Sequence, residues 1–173
     1  MKPEVNCSKP APLLDKLKQL MLGPPKFTLA VAESITCGRV QAKIGSVSGA
    51  SAFFLGGITA YTLDQKVRHL GVARSATLAV NSVSNEVAEE MARGVCGLFQ
   101  ADVGVGTTGY AEPLAERSIT HPFGWWSLAR RSADGSFRMR SGRIDCPGAG
   151  RMAAQERVAE AALAALVDWL KEG

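Results

Sequence analysis

The chain is short of histidine, of paired cysteines and of long apolar runs, and each shortage removes a class of function. Its 173 residues hold two histidines, His69 and His121. His69 lies in a short helical pattern that Gly71 closes, and His121 stands before a proline. Neither has a serine or carboxylate context that suggests a Ser-His-Asp triad. The four cysteines (Cys7, Cys37, Cys96, Cys146) form no Cys-x-x-Cys pair, which argues against a zinc site. They read as free thiols in a reducing cytoplasm, with Cys96 a small core residue of a helix. No HExxH pair, no Walker lysine loop and no GxGxxG turn after a strand occurs. No apolar run approaches the roughly 20 residues that span a bilayer. The opening MKPEVNCSKPAP lacks the apolar segment of a secretory signal. The expectation is a cytoplasmic protein without metal, cofactor or membrane contact.

What is present suits one folded domain. Hydrophobic residues make up 46% and charged residues 21%, enough for a substantial core. The net charge of +4 is mild, and its lysines and arginines are scattered. That distribution gives no nucleic-acid groove and fits an anionic small molecule. Residues 1–11 are polar and Pro-rich and read as a loose arm; residues 12–173 read as the domain. Leu13, Leu14, Leu17, Leu20 and Met21 recur at helical spacing until Gly23-Pro24-Pro25. Phe27 to Ala32 reads as a buried strand, followed by a small-residue turn and a helix to about Ile44. Ala52 to Thr62 is apolar and aromatic around Gly56-Gly57, and Leu63 to Leu70 is a short helix. Ser84 caps a helix that runs to about Gln100, and Ala101 to Thr108 is a second buried strand. Phe123 to Arg131 and Phe137 to Ile144 form a hairpin turned at Asp134-Gly135, and a long helix ends the chain. Helices alternating with strands predict a single three-layer α/β/α domain with a mixed sheet.

With histidine set aside, a serine–lysine arrangement is the remaining candidate for hydrolytic chemistry. A serine hydroxyl is a poor nucleophile until a base takes its proton, and a lysine can do so if burial depresses its pKa. Ser51 follows small residues in a Gly-flanked turn, Tyr61 ends the aromatic stretch, and Lys66 begins the next helix. Spacing alone leaves the plain alternative open: a turn serine, a half-buried tyrosine and a surface lysine. Strand, small-residue turn and helix at Glu33-Ser34-Ile35-Thr36-Cys37-Gly38 could aim backbone N–H groups at an anion. Ser34 and Thr36 could equally cap the helix. Arg130, Arg131, Arg138, Arg140 and Arg143 default to a solvated hairpin face. Of Trp125 and Trp126, one is expected in the core.

Several segments carry a family resemblance. Ala32 to Gly38 resembles a motif AESCTGG. Gly49 to Tyr61, with Lys66 and Leu70-Gly71-Val72 after it, resembles GSSAYFLGGVVAYSNEAKxxLLGV. Val83 to Ala92 is similar to VSEEVAEAMA, and Ala101 to Gly104 to ADVGL. These are motifs of the C-terminal domain family of the competence/damage-inducible protein CinA, which also occurs as a stand-alone nicotinamide-nucleotide amidase. The resemblance covers roughly residues 12 to 170. It implies hydrolysis, without a metal or cofactor, of the carboxamide of nicotinamide mononucleotide to nicotinic acid mononucleotide and ammonia. It further implies Ser51 as nucleophile with Tyr61 and Lys66 beside it, and Lys66 as its base. Thr108 falls on a family threonine and Arg151 on a basic residue. Thr108 and backbone N–H groups would serve the oxyanion or substrate; Arg151 and the Ser34, Thr36, Gly38 turn would serve the phosphate.

The chain departs from those motifs at Cys37, at Tyr110 and Glu112 in the segment TGYAEP, and at Gly150 in GAGR. A carboxylate beside a phosphate opposes its binding, so an altered substrate, or an inactive nucleotide-binding or assembly module, is the alternative reading. Strand length adds a demand. Residues 55 to 62 as one strand would span roughly 25 Å, with Ser51 and Lys66 at opposite ends. Either Gly56-Gly57 breaks the strand sharply, or Ser51 of one subunit meets Lys66 of another; the second is the favoured expectation, and it implies a homo-oligomer.

Overall fold

The computed structural model describes residues 12–74 and 82–172. The first eleven residues, including Cys7 and the expected arm, lie outside the described residues, as do residues 75–81. Helix α1 (Pro12–Leu22) buries Leu14, Leu17 and Met21 at the three-and-four spacing of one helical face. Strand β1 (Leu29–Glu33) is buried along its whole length, as an apolar run between two parallel neighbours should be. Helix α2 (Arg39–Gly45) and a 3₁₀ turn (Ala50–Ala52) lead to β2 (Phe54–Thr59). Helix α3 (Leu63–Leu70) ends at Gly71, whose left-handed φ of 66° lets Val72 N–H reach back to Lys66 O. Helix α4 (Asn85–Phe99) starts on Ser84, whose hydroxyl accepts from Val87 N–H. Strands β3 (Val103–Tyr110), β4 (Phe123–Arg131) and β5 (Phe137–Asp145) follow, and α5 (Arg151–Lys171) closes the chain.

The sheet order is β2-β1-β3-β4-β5, with β2, β1 and β3 parallel and β4 and β5 antiparallel. Helices α1, α2 and α5 share one core with one face of the sheet; α3 and α4 cover the other. The expected three-layer mixed α/β arrangement is what forms. Helix α4 lies close on β3 because the strand carries glycines beneath it. A Cβ at Gly104 would stand 2.1 Å from Ala92 O, and one at Gly106 2.3 Å from Ala88 O. Trp125 and Trp126 are both half-buried on β4. The hairpin arginines are not merely solvated: Arg130 and Arg138 stack on Trp169, and Arg143 stacks on Phe123. Among the described residues, no helix is long and apolar enough to cross a membrane.

The topology also selects the place for a ligand. The chain leaves β1 for β2 on one side and returns to β3 on the other. That reversal opens a crevice past the carboxyl ends of the parallel strands.

Candidate active site

A cleft of about 260 Å³ occupies that crevice. Ser34 and Ile35 line it from the end of β1, Tyr61 and Thr62 from the end of β2, and Gly109 to Ala111 from the end of β3. Lys66 and Ser82 line the cleft too.

Lys66 is the group with unusual surroundings. Along α3 only Lys66 and Leu70 are buried, an i, i+4 pair on the inward face of an otherwise polar helix. Lys66 is 2% exposed. Its Nζ donates to Ser82 O at 3.1 Å and to Thr108 Oγ1 at 3.2 Å, while Thr108 Oγ1 donates to Ser82 O at 2.8 Å. No described carboxylate forms an ion pair with it. Burial without a counter-ion brings its pKa from 10.5 down to about 8. Two acceptors match the two N–H bonds of the neutral amine, which leaves its lone pair for a proton from a third group.

Ser34 and Thr108 are neighbours in the sheet. Glu33 pairs with Thr107, and the next residue, Ser34, extends the ladder by donating its N–H to Thr107 O at 2.9 Å. Adjacent strands lie about 4.8 Å apart, so Ser34 stands one strand away from the threonine that holds Lys66. Ser34 is 6% exposed and faces the same cleft.

Ser51 does not. It is exposed in the 3₁₀ turn before β2, at the amino end of the parallel strands. Six residues of β2 separate it from the cleft end, roughly 17 Å at about 3.3 Å per residue. One chain therefore brings Tyr61, Lys66, Thr108 and Ser34 to one end of the sheet and leaves Ser51 at the other.

The small-residue turn binds an anion, but the anion is internal. Glu33, wholly buried, accepts from Gly38 N–H at 2.9 Å, Val40 N–H at 3.2 Å and Gln41 N–H at 2.8 Å. Thr36 Oγ1 donates to the same carboxylate at 2.5 Å and meets Thr107 Oγ1 at 2.7 Å. Thr36 and Gly38, expected as substrate contacts, here serve the Glu33 carboxylate as parts of a helix cap. The start of α2 has its acceptor already, and Thr36 is fully buried behind it. Sequence reading passed over Glu33. Its signal was a lone carboxylate ending an apolar strand just before a helix whose first N–H groups need an acceptor. Ser82 was also missed, because it acts through its carbonyl and carries no side-chain signature.

Arg151, the first residue of α5, reaches the cleft mouth. It donates to Tyr61 Oη at 3.1 Å and to Glu112 Oε1 at 2.9 Å. Because the phenol oxygen accepts from the guanidinium, its own proton is left to donate elsewhere. Cys37 is exposed at a left-handed φ of 49°, and Cys37, Cys96 and Cys146 are free thiols. No described group of histidine, cysteine and carboxylate side chains could hold a metal ion.

The family model for the CinA C-terminal domain matches residues 14–170. A CinA-like protein of Chlorobium limicola is 40% identical over 154 residues, covering 88% of this chain and 35% of its own length. One of Chlorobaculum tepidum is 39% identical over 149 residues, covering 85% of this chain and 35% of its own. The chain thus spans about a third of the length of these relatives. Among solved structures, a CinA superfamily protein of Klebsiella pneumoniae matches with a TM-score of 0.85 at 22% identity, over 96% of this chain and 100% of that one. One of Escherichia coli matches with a TM-score of 0.81 at 22% identity, over 97% and 99%. At that identity the likeness is one of fold.

Proposed function

The chain belongs to the CinA C-terminal domain family, and we propose that it is an amidohydrolase with Lys66 as general base, acting on the carboxamide of a pyridine nucleotide. The observation that carries this reading is a buried lysine, its pKa lowered to about 8 by desolvation, hydrogen-bonded at the floor of a cleft beside hydroxyl groups.

The chemistry follows from the contacts. Neutral Lys66 takes the proton of a serine hydroxyl as the oxygen attacks the amide carbon. The resulting ammonium returns that proton to the departing nitrogen, and ammonia leaves an acyl-enzyme. Water then loses a proton to Lys66 and attacks the ester, and the serine oxygen recovers a proton as the carboxylate departs. The Tyr61 hydroxyl, oriented by Arg151, can donate to the developing oxyanion or to the substrate.

Two serines compete for the nucleophile's place. Geometry within one chain favours Ser34, which shares the cleft. The family resemblance favours Ser51, which must come from a second copy. Strand β2 supports that possibility: it is a sheet edge with no charged residue or proline in Phe54–Thr59, and Leu55 is 43% exposed. Two such edges paired antiparallel about Gly56-Gly57 would set Ser51 of one copy opposite Thr62 of the other, beside its Tyr61 and Lys66.

Ammonia release from nicotinamide mononucleotide tests the scheme. Lys66→Met lowers kcat by about 10²–10⁴-fold. Loss of turnover in Ser34→Ala but not in Ser51→Ala assigns the nucleophile within the chain. The reverse pattern, with activity recovered on mixing Ser51→Ala and Lys66→Met proteins, assigns a shared site. No release by the wild type, with nucleotide binding retained, favours the second reading, a nucleotide-binding or assembly module.

A further inference from the structure

The mouth of the cleft carries a charge arrangement that bears on which substrates enter, and the inference rests on the amidase reading above. Arg151 presents a guanidinium fork at the start of α5, where the helix dipole also favours an anion. Such a fork would ordinarily seat the anionic end of a ligand. Here one nitrogen holds Glu112 Oε1 at 2.9 Å and another holds Tyr61 Oη at 3.1 Å. The carboxylate lies just past the end of β3, in the segment Tyr110-Ala111-Glu112, two of whose residues line the cleft. Arginine and glutamate are both exposed, so the pair is not a source of stability. Its effect is on charge: Glu112 occupies the fork and cancels the cation there.

We propose that Glu112 is a specificity-determining residue, an internal counter-ion that fills the Arg151 anion seat. It lowers the advantage that the Arg151 seat gives a phosphomonoester and so widens the cleft's range toward amides whose distal end is uncharged or cationic. A phosphate reaching Arg151 must displace the carboxylate and then remain beside it. Among the described residues the cleft walls add no competing acid, since Ser34, Tyr61, Thr62, Lys66, Ser82 and Tyr110 supply its polar groups.

Ribose 5-phosphate, titrated calorimetrically at low salt, probes the seat without reference to turnover. Glu112→Gln is expected to bind it about tenfold more tightly than the wild type. That is the scale of a dianion relieved of one charge about 6 Å away in a water-like dielectric. The gain should vanish when Glu112→Gln is made on Arg151→Gln and compared with Arg151→Gln alone, because without the fork no phosphate is held beside residue 112. Ammonia release supplies the second readout. The ratio of kcat/KM for nicotinamide mononucleotide to that for nicotinamide riboside should rise about tenfold in Glu112→Gln. Equal affinity for ribose 5-phosphate in wild type and Glu112→Gln overturns the assignment. So does an unshifted ratio in a protein that releases ammonia. If no variant releases ammonia the amidase reading falls, and the calorimetric comparison still decides the role of Glu112.

Discussion

Replacing Lys66 by methionine should make the protein more stable while removing its chemistry. Lowering the ammonium pKa from 10.5 to about 8 corresponds to about 3 kcal/mol against the charged form. The sign follows from where the proton sits. Between about pH 8 and 10.5 the unfolded chain keeps a proton that the folded chain has released, so wild-type stability rises with pH across that window. Below it both states are protonated, and the folded protein carries the whole cost of a buried cation. Methionine has a similar length and no charge. It forgoes the bonds to Ser82 O and Thr108 Oγ1, about 1 kcal/mol net, and Ser82 O still accepts from Thr108. The variant should therefore gain about 2 kcal/mol at pH 7, or roughly 4–8 °C in Tm for a domain of this size. By about pH 10 the gain should be gone. Urea denaturation of both proteins at pH 7 and pH 10 measures it. A variant less stable than wild type at pH 7, or an advantage that does not shrink as pH rises, refutes the claim that Lys66 is a desolvated base.

Two further substitutions test the frame around the cleft. Glu33→Gln replaces a carboxylate that accepts four hydrogen bonds with an amide that turns a donor toward donors, and should cost about 3 kcal/mol by chemical denaturation. Equal stability would mean that the start of α2 does not depend on that cap. Cys37→Gly relieves a side chain at a left-handed φ of 49° and should raise stability by about 0.5–1 kcal/mol without changing turnover. A lower Tm would contradict it.

The framework was largely legible because its signals are local. Gly71 closes α3 and Ser84 opens α4 as their residue types suggest. Strand ends were less legible, since pairing sets them. Strand β3 continues past Thr108 to Tyr110 because Gly109 and Tyr110 have β4 partners in Gly124 and Phe123. Strand β1 begins at Leu29 rather than Phe27, and Thr28 instead bonds Asp102 through its N–H and hydroxyl. The site divides the same way. Lys66 was named from motif and order, but its burial depends on α3 presenting that face to Thr108 and Ser82 across the sheet end, a long-range fact. The separation of Ser51 from Lys66 could be read by counting strand residues. The capture of the Ser34–Gly38 turn by Glu33, and of Arg151 by Glu112, could not, because each depends on which of several nearby groups reaches the donors first.

The most direct measurement for Lys66 as base is the pH dependence of kcat/KM for ammonia release from nicotinamide mononucleotide. For the wild type it should rise tenfold per pH unit below a midpoint near 8 and level off above, the behaviour of a base that works only when unprotonated. In Lys66→Met that limb should disappear along with at least a hundredfold of the rate. A profile flat between pH 7 and 9, or a Lys66→Met protein that keeps the wild-type rate and limb, would contradict the account.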